Sequence, residues 1–161
     1  MTRAKGVRQA AWLLIAVSGA LLLGALAFQF IGGLKPCEMC YWQRYAHLAV
    51  LVVSTLALLS GNRVLGWLAA LAMAVAAGLG LFHAGVELKW WQGVTACTAP
   101  VSAGMSTADM LDTLMNAPLV RCDEIPWSLL GISMAGWNAL ISAGAALSAA
   151  FVLIFTRRAP R

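Results

Sequence analysis

The sequence predicts an all-α integral membrane protein, a bundle of four transmembrane helices, and three observations carry that prediction. The 161-residue chain is 61% hydrophobic and only 11% charged, against roughly a quarter charged in soluble domains. Its mean hydropathy is +0.83. Its charges are widely spaced: 26 residues without Asp, Glu, Lys or Arg separate Arg8 from Lys35, 18 separate Arg44 from Arg63, 23 separate Arg63 from Glu87, and 32 separate Glu124 from Arg157. A membrane span needs about 20 mostly apolar residues, so each gap holds one helix.

The first span is placed at about 10–31. It has a basic start and an "ALA" at 25–27 that resembles a signal-peptide cleavage site. The apolar run continues through Phe28, Phe30 and Ile31, beyond the roughly 7–15 residues of a signal core, so the segment is read as a retained helix. A short outward segment, 32–44, leads to the second and shortest span, 45–60. The turn "SGNR" at 60–63 joins it to the third, 64–84. A long outward loop, 85–128, precedes the fourth span, 129–155. The whole chain, 1–161, reads as a single membrane domain.

The long loop carries a helix signal of its own. Met110, Leu111, Leu114 and Met115 fall on one arc of a helical projection, and Asp109, Asp112, Thr113 and Asn116 on the other. Ser106 followed by Asp109 resembles a capping box, with Gly104 before it and Pro118 to stop it. Such a helix lies flat at the membrane surface or packs on the top of the bundle. Trp90 and Trp91 are placed as interfacial anchors.

With four spans both termini and the 60–63 turn share one side. That side holds Arg3, Lys5, Arg8, Arg63, Arg157, Arg158 and Arg161, and the other holds all six acidic residues. Basic residues concentrate on the cytoplasmic side of membrane proteins, so the termini are expected in the cytoplasm. The net charge of +5 thus reflects topology, and no nucleic-acid-reading motif accompanies it.

All four cysteines, Cys37, Cys40, Cys97 and Cys122, fall in the outward segments. An outward compartment is oxidising, which favours disulfides, and the obvious pairing is Cys37–Cys40 with Cys97–Cys122. The second pair would close a loop of about 26 residues and stabilise by about 3–4 kcal/mol as a plain staple. Zinc sites pair two close-spaced ligand doublets, whereas 24 residues separate Cys97 from Cys122; no metal is expected. A c-type haem needs His after the CxxC, and Tyr41 stands there.

The redox reading of the CxxC is stronger. Pro36 suits a helix start, so the motif opens the second helix, where the helix end favours a thiolate. Arg44 is four residues past Cys40 on the same face. It serves either as a positive charge beside a thiolate and an electron acceptor in the lipid, or as a side chain snorkelling to the headgroups. A catalytic disulfide must be regenerated, and at the bilayer edge a lipid-soluble quinone fits that role better than a dinucleotide.

"FQFIGGLKPCEMCYWQR" at 28–44, "RCDEIPWSLLGISMAGW" at 121–137, "AWLL" at 11–14 and the HAGVE…WW…C pattern at 83–97 together resemble the DsbB family, over essentially the whole chain. The resemblance implies an inner-membrane enzyme whose cysteines face the periplasm. Such an enzyme re-oxidises a periplasmic DsbA-like thiol oxidase and passes two electrons to ubiquinone, or to menaquinone. By motif match, Cys97 takes the partner's thiolate, Cys122 attacks Cys37, and Cys40 is left as the thiolate against the quinone ring with Arg44 beside it. The family's quinone-side polar residue at the top of the third span corresponds to His83 within one position, and Glu87 lies one turn beyond. Gln43 stands where better-known members carry an acid. His47 is read as packing or lipid-edge histidine.

Three further readings share some of these features. A vitamin K epoxide reductase-like protein is also a four-helix quinone reductase, but its CxxC comes late in the chain. A non-catalytic membrane protein would use its outward disulfides merely to staple loops. A metal-transporting subunit would carry carboxylates inside the membrane.

Overall fold

The computed structural model describes residues 3–95, 106–108, 111, 115 and 120–156. Four helices dominate it: α1 (Arg3–Phe30), α2 (Glu38–Ser60), α3 (Arg63–Glu87) and α4 (Met134–Phe155). All four are long and apolar enough to cross a membrane. The only strands among the described residues are β1 (Ser128–Leu129) and β2 (Ile132–Ser133), an antiparallel pair just before α4.

Four element ends differ from the sequence reading: α1 begins at Arg3 rather than 10, the basic start being helical too, and three others differ each for a local reason. α2 starts at Glu38 rather than 45, because Cys37 caps it: the Cys37 sulfur accepts the Cys40 backbone N–H at 3.2 Å. Cys40 is therefore in the first turn of the second helix, as expected of a CxxC that opens it. α3 runs on to Glu87, taking His83 into its last turns. α4 begins at Met134 and not at 129. Leu130 and Gly131 take positive φ of 53° and 78°, the pattern of a two-residue hairpin turn. Ser133 then caps α4 by accepting from the Gly136 N–H at 3.1 Å. At the opposite end Gly61 closes α2 at φ 63°, and Asn62 caps α3 through Val64 N–H at 2.8 Å.

The core is built from small residues. Ala10, Ala57, Ala69, Ala76 and Ala149 pack with Leu14, Val50, Met73 and Leu153, allowing the close helix approach that membrane bundles use in place of large hydrophobes. Leu23, Val52, Leu71, Leu147 and Phe151 point outward and exposed, as lipid-facing residues must. In the long loop Thr107, Ala108, Leu111 and Met115 are helical, and Leu111 and Met115 are exposed. The other residues of the amphipathic segment lie outside the described ones.

Candidate functional site

The site forms where the first turn of α2 meets the end of α3. The Cys37 and Cys40 sulfurs are 2.8 Å apart. Hydrogen bonding to Cys40, followed by burial, pushes the Cys37 thiol far above its ordinary range. Cys122 is fully buried and packs with Cys37, Met39 and Val86, and with half-buried Cys40. One cysteine of the long loop thus reaches the CxxC, as the sequence suggested. Thr95 Oγ1 lies 3.5 Å from its sulfur. Cys97 lies outside the described residues, and its expected pairing with Cys122 lies there too.

An ionic clip holds Cys122 in place. Lys89, just past α3, donates to the Asp123 carboxylate at 2.5 Å and to its backbone oxygen at 2.6 Å. Arg121 makes a two-pronged contact with the same carboxylate at 2.9 and 2.8 Å. Arg121 first, and Lys89 second, hold the Asp123 carboxyl down at about 2.

His83 sits behind the couple and is buried. Its Nε2 is 3.6 Å from the Cys37 sulfur, 3.2 Å from the Cys122 carbonyl oxygen and 3.9 Å from Glu87 Oε1. Glu87 is buried as well and accepts from the Ser133 hydroxyl, tying the end of α3 to the cap of α4. His47 is neither at the lipid edge nor simply packed. It is buried between Ser18, at 3.2 Å, and Asn138, at 2.8 Å.

Arg44 lines the same cavity as Cys40, but its hydrogen bonds run to α1. It donates to Gln29 Oε1 at 2.5 Å and to the Ala25 carbonyl at 3.3 Å, with the guanidinium 5.4 Å from the Tyr41 ring centre. The side chain is satisfied inside the protein rather than by headgroups. The cavity has a volume of about 770 Å³ and is lined by residues of all four helices and of the segments before α2 and α4. Its walls are Leu21, Gly24, Phe28, Trp137 and Ile141, and its floor holds Cys37, Cys40, Arg44, His83 and Glu87.

Cys37, Cys40 and His83 also bring three ligand-capable atoms within 4.8 Å of one another. Two thiolates on one zinc stand about 3.7 Å apart, from 2.3 Å bonds at tetrahedral angles. The observed sulfurs are closer than that, so the arrangement suits a dithiol–disulfide couple better than a metal.

Several site residues escaped the sequence reading: Gln29, Asn138 and Ser133, together with the place of Gln43 in the hydrogen-bond network. The available signal was their isolation as polar groups in apolar spans, since such residues face the bundle interior. Gln43 and His47, and likewise Asn138 and Ser142, are also four apart and share a helix face.

The family model for disulfide bond formation protein DsbB matches residues 7–152. A disulfide bond formation protein B from Marinobacter nauticus is 34% identical over 92% of this chain and 92% of its own length. Disulfide bond formation protein B 2 of Pseudomonas aeruginosa is 31% identical over 91% of each. A third relative, from Saccharophagus degradans, is 30% identical over 86% of this chain and 87% of its own. With four membrane-crossing helices and a CxxC couple at the head of the second, this chain belongs to the DsbB family, as a multi-pass, disulfide-forming membrane oxidoreductase.

Proposed function

We propose that the protein is a thiol:quinone oxidoreductase of the bacterial inner membrane. It re-oxidises a periplasmic DsbA-like dithiol oxidase and delivers two electrons to ubiquinone, or to menaquinone. The observation that carries this reading is the position of the Cys37–Cys40 couple. Cys122 packs on one side of it, and a cavity of about 770 Å³ walled by lipid-facing helices opens on the other. Ligand pockets of roughly 300–1,000 Å³ with a few convergent polar groups are typical for small molecules. The apolar walls suit a planar ring and isoprenoid tail, and Arg44 would hold a carbonyl oxygen; both ring nitrogens of His83 are taken up by Gln43, Cys37 and Cys122, so His83 lines the cavity without a free donor for the ring.

The steps on this chain are thiol exchanges. The partner's thiolate attacks Cys97 of a Cys97–Cys122 disulfide, and Cys122 leaves as a thiolate. Cys122 then attacks the Cys37 sulfur; the Cys37–Cys122 bond forms and Cys37–Cys40 breaks. The partner's second thiol displaces Cys97 and leaves the partner oxidised. Cys40, facing the cavity near Arg44, is the exit for the electron pair: the Cys97 thiolate attacks Cys122 and re-forms Cys97–Cys122, Cys37 leaves as a thiolate, and Cys37 closes back on Cys40 as the pair departs. A bound quinone supplies the two-electron sink, and two protons follow, so one dithiol yields one disulfide and one quinol. The basic residues Arg3, Lys5, Arg8 and Arg63 support cytoplasmic termini and periplasmic cysteines.

The test is quinone reduction by purified protein in detergent with a reduced dithiol protein as substrate. Cys40→Ala is expected to abolish turnover, and Cys122→Ala to accumulate an intermolecular disulfide through Cys97. Parent-like turnover in both variants would overturn the proposal.

A further inference from the structure

A chain of buried side chains runs from the redox couple toward the middle of the bundle, touching all four helices. His83 Nδ1 is 2.7 Å from Gln43 Nε2, and Asn138 Nδ2 donates to Gln43 Oε1 at 2.6 Å. Asn138 Oδ1 is 2.8 Å from His47 Nε2 and accepts from Ser142 at 3.1 Å. His47 Nδ1 is 3.2 Å from the Ser18 hydroxyl. Each of these residues is at most 9% exposed. Polar side chains inside membrane spans are expensive and are retained for function. Exchanging both partners of a buried hydrogen bond for apolar groups is often nearly neutral for stability, so packing alone does not account for the chain.

The direction of every bond in it is determined. Which atom of a Gln or Asn amide is the nitrogen, and which His nitrogen bears the proton, follow from the network. Gln43 Nε2 lies 3.3 Å from the Met39 carbonyl oxygen, where the amide oxygen would be repelled; the NH₂ group therefore faces Met39 and His83. His83 Nδ1 must then accept, and a neutral ring carries its proton on Nε2. On the other side Gln43 Oε1 accepts from Asn138, which leaves Asn138 Oδ1 to accept from His47 Nε2–H, and His47 Nδ1 to accept from Ser18. Five donors point one way, toward the couple, and bonds aligned in this manner polarise one another in a low-dielectric interior.

We infer that Gln43, Asn138 and His47 are positioning residues that hold His83 as its Nε2–H tautomer, so that this proton faces the Cys37 sulfur and the Cys122 carbonyl. An N–H held there stabilises the Cys37 sulfur as it leaves Cys122 as a thiolate, a role the opposite tautomer cannot fill. The consequence for rate rests on the thiol-exchange reading above; the tautomer itself does not.

The experiment is nitrogen-15 NMR of the histidine rings in the full-length protein, in micelles at neutral pH without dithiol or quinone. His83 and His47 are both expected as neutral Nε2–H rings. Gln43→Met is expected to give His83 a mixture of tautomers while His47 keeps its own, and Asn138→Leu to loosen both. Dithiol oxidation by Gln43→Met should slow by about tenfold, the scale of one hydrogen bond to a charged group. An Nδ1–H ring at His83 in the parent protein overturns the inference, as does an unchanged tautomer in Gln43→Met. Should the variants fail to fold, the parent spectrum still decides. A parent protein that shows the Nε2–H ring but reduces no quinone would sink the quinone reading alone.

Discussion

Asp123 shows how much a single carboxylate does for the position of a cysteine. It is the residue after Cys122; its bonds to Lys89 fasten the end of the long loop to the end of α3, and Arg121 braces the same carboxylate from within the loop. Its carboxyl is held below its ordinary value of 3.8, at about 2. A depressed carboxyl stabilises the folded arrangement above its unfolded pKa and stops doing so as pH falls through the folded one. The clip should therefore be complete above about pH 4 and lost toward pH 2. Exposed ion pairs contribute about 0.2–1 kcal/mol, so Asp123→Asn is expected to raise maleimide labelling of Cys122 in the reduced protein at neutral pH by up to about fivefold. Pepsin digestion between pH 4 and pH 2 checks the titration: cleavage near 120–124 should accelerate in the parent relative to the variant, and parallel rates would mean no clip. The cysteines and Arg44 were legible in the sequence because their spacing is local, three and four residues along one helix. Gln43 and Asn138 were not, since 95 positions separate partners that meet only once α2 and α4 are packed.

At the scale of elements, α3 and α4 set the depth at which these groups meet. A Cβ at Gly80 would lie 2.9 Å from the Ala139 nitrogen and 3.1 Å from the Ala135 oxygen, both backbone atoms that cannot swing aside. Gly80→Val should push α3 from α4 and lower stability by about 1–3 kcal/mol, the usual cost of overpacking. Gly78, two residues away, would have nothing within 4 Å of its Cβ, so Gly78→Val controls for the change in helix propensity. Unfolding in detergent should rank Gly80→Val well below Gly78→Val; equal midpoints would show that the close approach carries no weight. The existence of all four helices followed from the charge gaps. Their ends did not, because Ser128–Ser133 is as apolar as a span and only the positive φ of Leu130 and Gly131 separates hairpin from helix.

At the scale of the molecule, the bundle keeps its tight packing at the termini side and leaves a cavity near the cysteines, with α1 and α4 among its walls. On the proposed function, thiols reach the couple from the loops and an apolar acceptor occupies that cavity. No charge pattern or spacing announces such a cavity; it arises because small residues on α1, Ala20, Gly24 and Ala25, leave space opposite Trp137 and Ile141. If this cavity is the quinone's site, filling it should separate acceptor binding from thiol exchange. A Cβ at Gly24 meets nothing within 4 Å, so Gly24→Phe can place a ring in the cavity without straining the helix. The apparent KM for quinone should rise by about tenfold, equivalent to about 1.4 kcal/mol. The mixed disulfide with the dithiol partner should still accumulate when Cys122→Ala is added, since the exchange steps do not use the cavity. Gly19 also has nothing within 4 Å of its Cβ and does not line the cavity, so Gly19→Phe should leave quinone saturation unchanged. Equal effects of the two phenylalanines would place the acceptor elsewhere on the bundle, and a selective effect of Gly24→Phe places it in the cavity.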